Sequence, residues 1–244
     1  MDGTQDDLLP RGMALLWGID ERQRRGPRPA LTIHDIGAAA VRIADEEGLA
    51  ALSMSKVATA LGFTTMSLYR YVDSKDDLVL AMLNEAYGAP PAGGPRTQWR
   101  PWLIHWCEAN RAALVRHPWI LQIPIGEPPL TPNLTGWLEE GLTALHSTGL
   151  SEQEKLSSLL LAEVYVRGQV QLMGAFDTPA AKQGEFGYAA RTRRVLDPDR
   201  FPHLATALAS GALEDDDGGE DEFRFGLEAV LAGIDRLIEK RVAG

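Results

Sequence analysis

The chain carries one cysteine in 244 residues, Cys107, which excludes an intrachain disulfide and fits a reducing compartment. No apolar run approaches the ~20 residues of a membrane-spanning helix. The first residues, with Asp2, Asp6 and Asp7, lack the basic-then-apolar order of a secretion signal. A cytoplasmic protein without membrane contact is expected. Net positive charge is missing as well. A formal charge of −10 excludes a protein that coats nucleic acid over its whole surface, so any DNA contact must come from a local basic patch. Nor is there a phosphate loop, a nucleophile–base constellation or a metal-ligand spacing. His105, Cys107 and Glu108 lie close in sequence, but i, i+2 residues diverge on a helix, leaving only His105 and Glu108 on one face. No catalytic residue, metal site or cofactor is expected.

What is present is ordinary globular material, 45% apolar and 24% charged, long enough for one large or two modest domains. The patterning is helical throughout. Thr32 and Asp35 form a capping pair for a helix over 32–47, with Ile33, Ile36, Ala40, Ile43 and Ala44 facing inward and Gly48 as the stop. Ser74 and Asp77 form a second pair opening a helix over 75–87. That helix is apolar on two faces and is expected to be wedged between two bodies. GAPPAGGP, residues 88–95, marks a boundary, because glycine and proline leave no periodicity. Beyond it helices are expected over 97–117, from a Thr131 cap and Pro132 to about 146, over 151–173 behind a Ser151–Glu154 capping box, over 188–196, 201–209 and 223–241. Ala14 to Trp17 suggests a short turn docked on the body. EDDDGGEDE, residues 214–222, reads as a solvated acidic loop, since its spacing does not match a calcium loop.

The most informative stretch is LSMSKVATALGFTTMSLYRY, residues 52–71. Ser53 is a natural N-cap, and Gly62 permits the positive φ of a sharp turn. Ala58 leaves room for close approach, and Thr64 or Thr65 opens a second short helix. Leu61, Leu68 and Val72 share an inward face, while Thr65, Met66, Tyr69 and Arg70 point away. Hydroxyls, an aromatic, a methionine and an arginine on the outer face of a short helix suit reading of a DNA major groove. Upstream, Arg22, Arg24, Arg25 and Arg28 are interrupted by Pro27 and Pro29. The segment is therefore extended, either an arm for the minor groove and phosphates or a solvated basic loop.

The run ALSMSKVATALGFTTMSLYRYVDSKDDL resembles the tetracycline-repressor (TetR-like) family of bacterial transcription regulators over roughly residues 31–87. The resemblance implies an all-α homodimer that binds a palindromic operator in double-stranded DNA. Its three-helix helix–turn–helix head (31–88) joins a helical-bundle body for ligand binding and dimerisation (96–244), behind an N-terminal extension with a basic arm (1–30). A small-molecule effector entering the body releases the operator. By position, Thr64, Thr65, Met66 and Ser67 match the start of the recognition helix. Tyr69, Arg70 and Tyr71 match mixed base and phosphate contacts, and Ser53, Ser55 and Lys75 match phosphate contacts. Arg25 and Arg28 of the arm complete the set. Thr65-Met66 departs from the small or proline residues frequent there, so base preference does not transfer.

Past Pro95 the similarity is architectural. FRFGLEAVLAGIDRLI resembles the family's dimer helix, and Gly226, Ala229 and Gly233 along it, together with helix 151–173, would allow a four-helix interface between copies. Packing within one chain would bury the same stripe. No effector residue carries over, but aromatic walls with polar tips suit an aromatic ligand. Trp102, His105, Trp106, Trp119, His146, Tyr165, Gln169 and Met173 are the candidates, and core packing is the competing account of most. An orphan regulator whose body takes a protein partner, and an all-α enzyme, are the alternatives.

Overall fold

Side-chain caps set the helix starts in the computed structural model, which describes residues 9–19, 30–91, 98–124, 130–176, 188–212 and 220–242. Among these every regular element is helical. Helix α1 (Arg11–Leu16) turns Met13, Leu15 and Leu16 inward, slightly longer than the docked turn expected from sequence. In α2 (Ile33–Glu47) the Thr32 hydroxyl accepts from the Asp35 amide at 3.1 Å, and the Asp35 carboxylate accepts from the Thr32 amide at 2.9 Å. These bonds satisfy amides that the first helical turn cannot. Its inward stripe, Ile33, Ile36, Ala40, Ile43 and Ala44, is that of the sequence pattern.

Ser53 caps α3 (Met54–Leu61), accepting from the Lys56 amide at 3.2 Å. At Gly62 φ is +73°, and the next amide, Phe63, donates back to Ala58 O at 2.9 Å. This left-handed closure is open to glycine with little strain. Thr64 caps α4 (Thr65–Leu68). The helix then tightens, with Arg70 N donating to Ser67 O and Tyr71 N to Leu68 O, three-residue bonds that end it. Leu68 and Val72 are completely buried beneath it. Helix α5 (Lys75–Tyr87) starts at Ser74, whose hydroxyl accepts from Asp77 N at 3.0 Å. The Asp77 carboxylate reaches one residue further back than a capping box requires, to Asp73 N at 2.9 Å.

Helix α5 is the axle of the molecule. One side presses on α2 so closely that a Cβ at Gly37 would lie 2.8 Å from the Ala81 carbonyl oxygen. Its other side meets the body, made of α6 (Trp99–Arg116), α7 (Pro132–Leu145), α8 (Glu152–Phe176), the short pair α9 (Tyr188–Val195) and α10 (Pro202–Ala209), and α11 (Glu220–Val242). Leu78, Ala81 and Met82 have no exposed surface, as expected for an element apolar on two faces. Three further ties join head to body. Trp17 Nε1 donates to Leu130 O at 3.0 Å, and His117 Nδ1 and Trp119 Nε1 both meet Asp45 Oδ1, at 2.8 and 2.7 Å.

Two expectations change. Thr131 stands at the N-cap position of α7 with Pro132 first in the helix, yet its buried hydroxyl makes no capping bond. The following amide, Asn133, is capped instead from α5 by Asn84. Of the acidic stretch 214–222, residues 214–219 lie outside the described residues. Residues 220–222 form the first turn of α11, where the helix dipole favours carboxylates. The Ser151–Glu154 box opens α8 as its spacing predicts, the Ser151 amide donating to Glu154 at 2.8 Å.

Candidate DNA-reading face and effector site

The tightly closed turn at Gly62 and the buried Leu68 and Val72 leave one side of α4 free. Met66 is 75% and Tyr69 44% exposed, and Arg70 joins them on the surface. Thr65, Ser67 and Tyr71 are half-buried, so the outward face is narrower than the sequence pattern drew it. Thr64 is exposed, but its hydroxyl is engaged with Ser67. Ser53, Ser55 and Lys75 are exposed at the starts of α3 and α5. An open cleft of about 200 Å³ beneath α4 is lined by Ala30, Leu31, Phe63, Ser67, Arg70 and Tyr71. Arg25 and Arg28 lie outside the described residues.

Charge on this unit is not generous. Between Leu31 and Gly88 there are four basic and eight acidic side chains. Most of the acids are engaged away from the reading face: Asp35 and Asp77 in caps, Asp45 with the body, Glu47 with Lys56, and Glu85 with His34 at 2.7 Å. Arg70 and Lys75 are the exposed cations beside α4, a small local patch on an acidic protein.

The eight effector candidates in the body are not gathered in one place. Trp102 and Trp106 are buried in the core, their indole nitrogens donating to Glu140 O and Trp137 O, each at 2.9 Å. Trp119 belongs to the junction with the head. Tyr165 stacks on Phe223 of α11, and its hydroxyl donates to Glu222 O and Phe223 O. His105 is exposed against Trp102, with ring centres 5.6 Å apart. His146 is exposed on the rim of an open cleft of about 360 Å³ formed with Glu139, Leu142, Thr143, Ser147, Glu152 and Lys155. Gln169 is buried and Met173 half-buried on α8.

Of a second group, sequence reasoning named only Trp106 as an effector candidate. Tyr87, Trp137 and Trp106 form an edge-on row with ring centres 5.9 and 6.1 Å apart. Beside Tyr87 lie Glu163 and Arg167 of α8, their charged atoms 3.9 Å apart, and the Asn110 amide of α6 donates to Glu163. Burial, and then Glu163, push the Tyr87 phenol above its ordinary range. Burial also raises the Glu163 carboxyl, against the opposing pull of Arg167 and Asn110. The Cys107 thiol is pushed up to about 12, mainly by burial, with Glu163 and Glu108 adding to it, so it stays protonated and unreactive at neutral pH. The available signal was Asn110 itself, a polar residue in register with buried Leu103, Cys107 and Leu114. Among the described residues no group of three or more His, Cys, Asp or Glu could hold a metal ion, and no helix is long and apolar enough to cross a membrane.

On the outer side of α8, Leu160, Leu161, Val164 and Leu172 are each more than half exposed, as is Phe225 on α11. The apolar stripe of α11 is used within the chain, with Phe223, Leu227, Leu231 and Ile234 buried. A Cβ at Gly226 would meet the Tyr165 ring at 2.4–2.6 Å, whereas Gly233 has nothing within 4 Å.

Known proteins match this arrangement in both parts. The bacterial regulatory proteins of the tetR family match over residues 36–82, and the tetracyclin repressor-like C-terminal domain over residues 91–238. The HTH-type transcriptional repressor DrrR1 of Streptomyces coeruleorubidus is 35% identical over 96% of this chain and 88% of its own length. An HTH-type transcriptional regulator of Saccharopolyspora erythraea is 32% identical, covering 90% of each. The Streptomyces coelicolor TetR family protein ActR, solved in complex with actinorhodin, superimposes with a TM-score of 0.72 at 26% identity, over 86% of this chain and 99% of that one. With both parts matched along nearly its whole length, the chain belongs to the tetR family of bacterial transcriptional regulators.

Proposed function

We propose that the chain is a repressor that binds a palindromic operator as a homodimer and releases it when an aromatic small molecule enters the body. The observation that carries the reading is the exposed Met66–Tyr69–Arg70 face, seated on a helix–turn–helix whose next helix, α5, is also packed into the body. In this reading residues 31–88 read DNA and residues 1–30 supply a basic arm. Thr64, Thr65, Met66 and Ser67 meet base edges, Tyr69, Arg70 and Tyr71 meet bases and phosphates, and Ser53, Ser55, Lys75, Arg25 and Arg28 hold the backbone. Residues 96–244 take the effector and pair two copies through the exposed apolar faces of α8 and α11, and the protein works in the cytoplasm beside its DNA. ActR, solved in complex with actinorhodin on the same fold, supports a small-molecule effector, and the aromatic lining of the body supports an aromatic one. A shift in α5 would change the spacing of two heads, and palindromic half-sites about one helical turn or a small multiple apart demand fixed spacing.

Selection of operator sequences from random duplex DNA, followed by sedimentation of the complex, tests this. The expected product is a palindrome bound by two copies and released by actinorhodin or a similar polycyclic aromatic. Enrichment of no sequence, or binding as one copy to an asymmetric site, refutes it.

A further inference from the structure

We infer that Asn110, Glu163 and Arg167, together with Tyr87, form the polar end of the effector site and select an aromatic ligand presenting an uncharged hydrogen-bond donor. The inference rests on the effector reading above and names the ligand chemistry. Asn110 is 2% exposed, and its amide nitrogen is taken by Glu163, while its amide oxygen Oδ1 has no hydrogen-bond partner. An unpaired buried carbonyl is disfavoured, so a structure that keeps one has a use for it or holds something against it. With Glu163 ionised beside Arg167, turning the amide over would not help, because the oxygen would then face a carboxylate and the nitrogen would be the orphan.

The surroundings say what could fill the gap. Glu163 and Arg167 keep 26% and 18% of their side-chain surface accessible, so the cluster is reachable although Asn110 lies beneath it. Tyr87, half-buried, borders the cluster and begins the Tyr87–Trp137–Trp106 row, so it is the ring a planar ligand would meet, the two tryptophans being buried. A donor on such a ring pairs with Asn110 Oδ1. A carboxylate there would face both the Asn110 oxygen and the Glu163 carboxylate in a poorly hydrated spot, and Arg167, already partnered by Glu163, leaves it little compensation. Tyr87 is the last residue of α5, so a ligand at this spot touches the helix shared with the DNA-reading head.

Three shape-matched probes test the inference on the full chain: anthraquinone, 2-aminoanthraquinone and anthraquinone-2-carboxylate. Binding is read by tryptophan quenching and calorimetry, independently of DNA. The amine is expected to bind about tenfold tighter than the parent ring, and the carboxylate to bind worst. In Asn110→Leu the advantage of the amine should fall below about twofold while the parent ring still binds. In Glu163→Gln, which keeps the packing should the leucine variant fail to fold, the carboxylate should gain about tenfold. Equal binding of amine and parent, an amine advantage that survives Asn110→Leu, a carboxylate still excluded by Glu163→Gln, or no binding of any probe each overturns the inference. The survival outcome is what a trapped water on Oδ1 would give. Adding operator DNA separates the two readings. Release by an aromatic with unchanged discrimination in the variants sinks this site and keeps the effector reading. The expected discrimination without release does the reverse.

Discussion

Asn84 of α5 and Asn133 of α7 hold each other by two bonds: the Asn133 amide donates to Asn84 Oδ1 at 3.1 Å, and Asn133 Nδ2 donates to Asn84 O at 2.7 Å. One helix of the DNA-reading unit thereby supplies the cap of a body helix. The Asn84 side chain is 1% exposed, so water offers no substitute. The pair thus couples α5 to α7 through the orphan amide of Asn133 and a second bond to the Asn84 carbonyl, not through apolar contact alone.

Replacing Asn84 by alanine leaves the Asn133 amide unpaired in the interior. Urea unfolding should show a loss of about 1–2 kcal/mol, in the range of a lost helix cap. Asn133→Ala should lose less, since the backbone amide keeps its bond to Asn84 Oδ1. A loss within error for Asn84→Ala would mean that α7 is not capped from α5.

At the reading face, Arg70→Ala should weaken binding to the selected operator by about 1–3 kcal/mol while barely changing affinity for random duplex. Lys75→Ala should weaken both alike and lower the slope of log K against log salt by about one. The head carries few other exposed cations beside α4, so the arm should matter. Removing Arg25 and Arg28 together should lower the slope by roughly two. Filter binding across a salt series checks all three. An unchanged slope for the arm variant would take those arginines off the DNA.

Acid should act at a defined place. The Arg241 guanidinium at the end of α11 and then the Ser151 amide and hydroxyl hold the Glu154 carboxyl at about 2, well below its ordinary range. A lowered folded-state pKa stabilises the fold above the ordinary carboxylate range, and that share is lost as pH falls toward 2. The bond joins exposed groups, so its worth is modest. The sharper readout is the titration of Glu154 by carbon-13 NMR. Its midpoint should rise toward the ordinary carboxylate range in Arg241→Ala, and a midpoint unmoved by that change would remove Arg241 as the cause.

The local signals in the sequence carried the fold far. Capping pairs at Thr32, Ser74 and Ser151 and the glycine turn at Gly62 are short-range chemistry, and each lies where its spacing placed it. The wedge character of α5 was legible from two apolar faces. Contacts made across the chain were not. Nothing in the Thr131-Pro132 signature says that Asn84, 49 residues before Asn133, would take over the cap. The aromatic candidates rest on residue type, and type alone cannot tell a tryptophan whose indole nitrogen is satisfied in the core from one at a junction. Asn110 was more telling, because a polar side chain at a core register must find a partner or stay unpaired.

The packing of α11 on α8 turns on Gly226. A Cβ there would lie 2.4 Å from the Tyr165 hydroxyl and 2.5 Å from its ring, distances no pair of such atoms tolerates. The ring cannot easily yield. It stacks on Phe223 at 6.0 Å, its hydroxyl donates to the carbonyls of Glu222 and Phe223, and Arg111 covers the Phe223 face at 4.6 Å. Gly226→Ala should therefore destabilise the fold by about 1–3 kcal/mol, as overpacking does, although alanine is the better helix former. Removing the ring as well should relieve the clash, so Gly226→Ala/Tyr165→Ala should lose less stability than the two single changes added together. Strict additivity in urea melts would place the Tyr165 ring away from Gly226, and with it the approach of the two helices on which the outward apolar face of α8 depends.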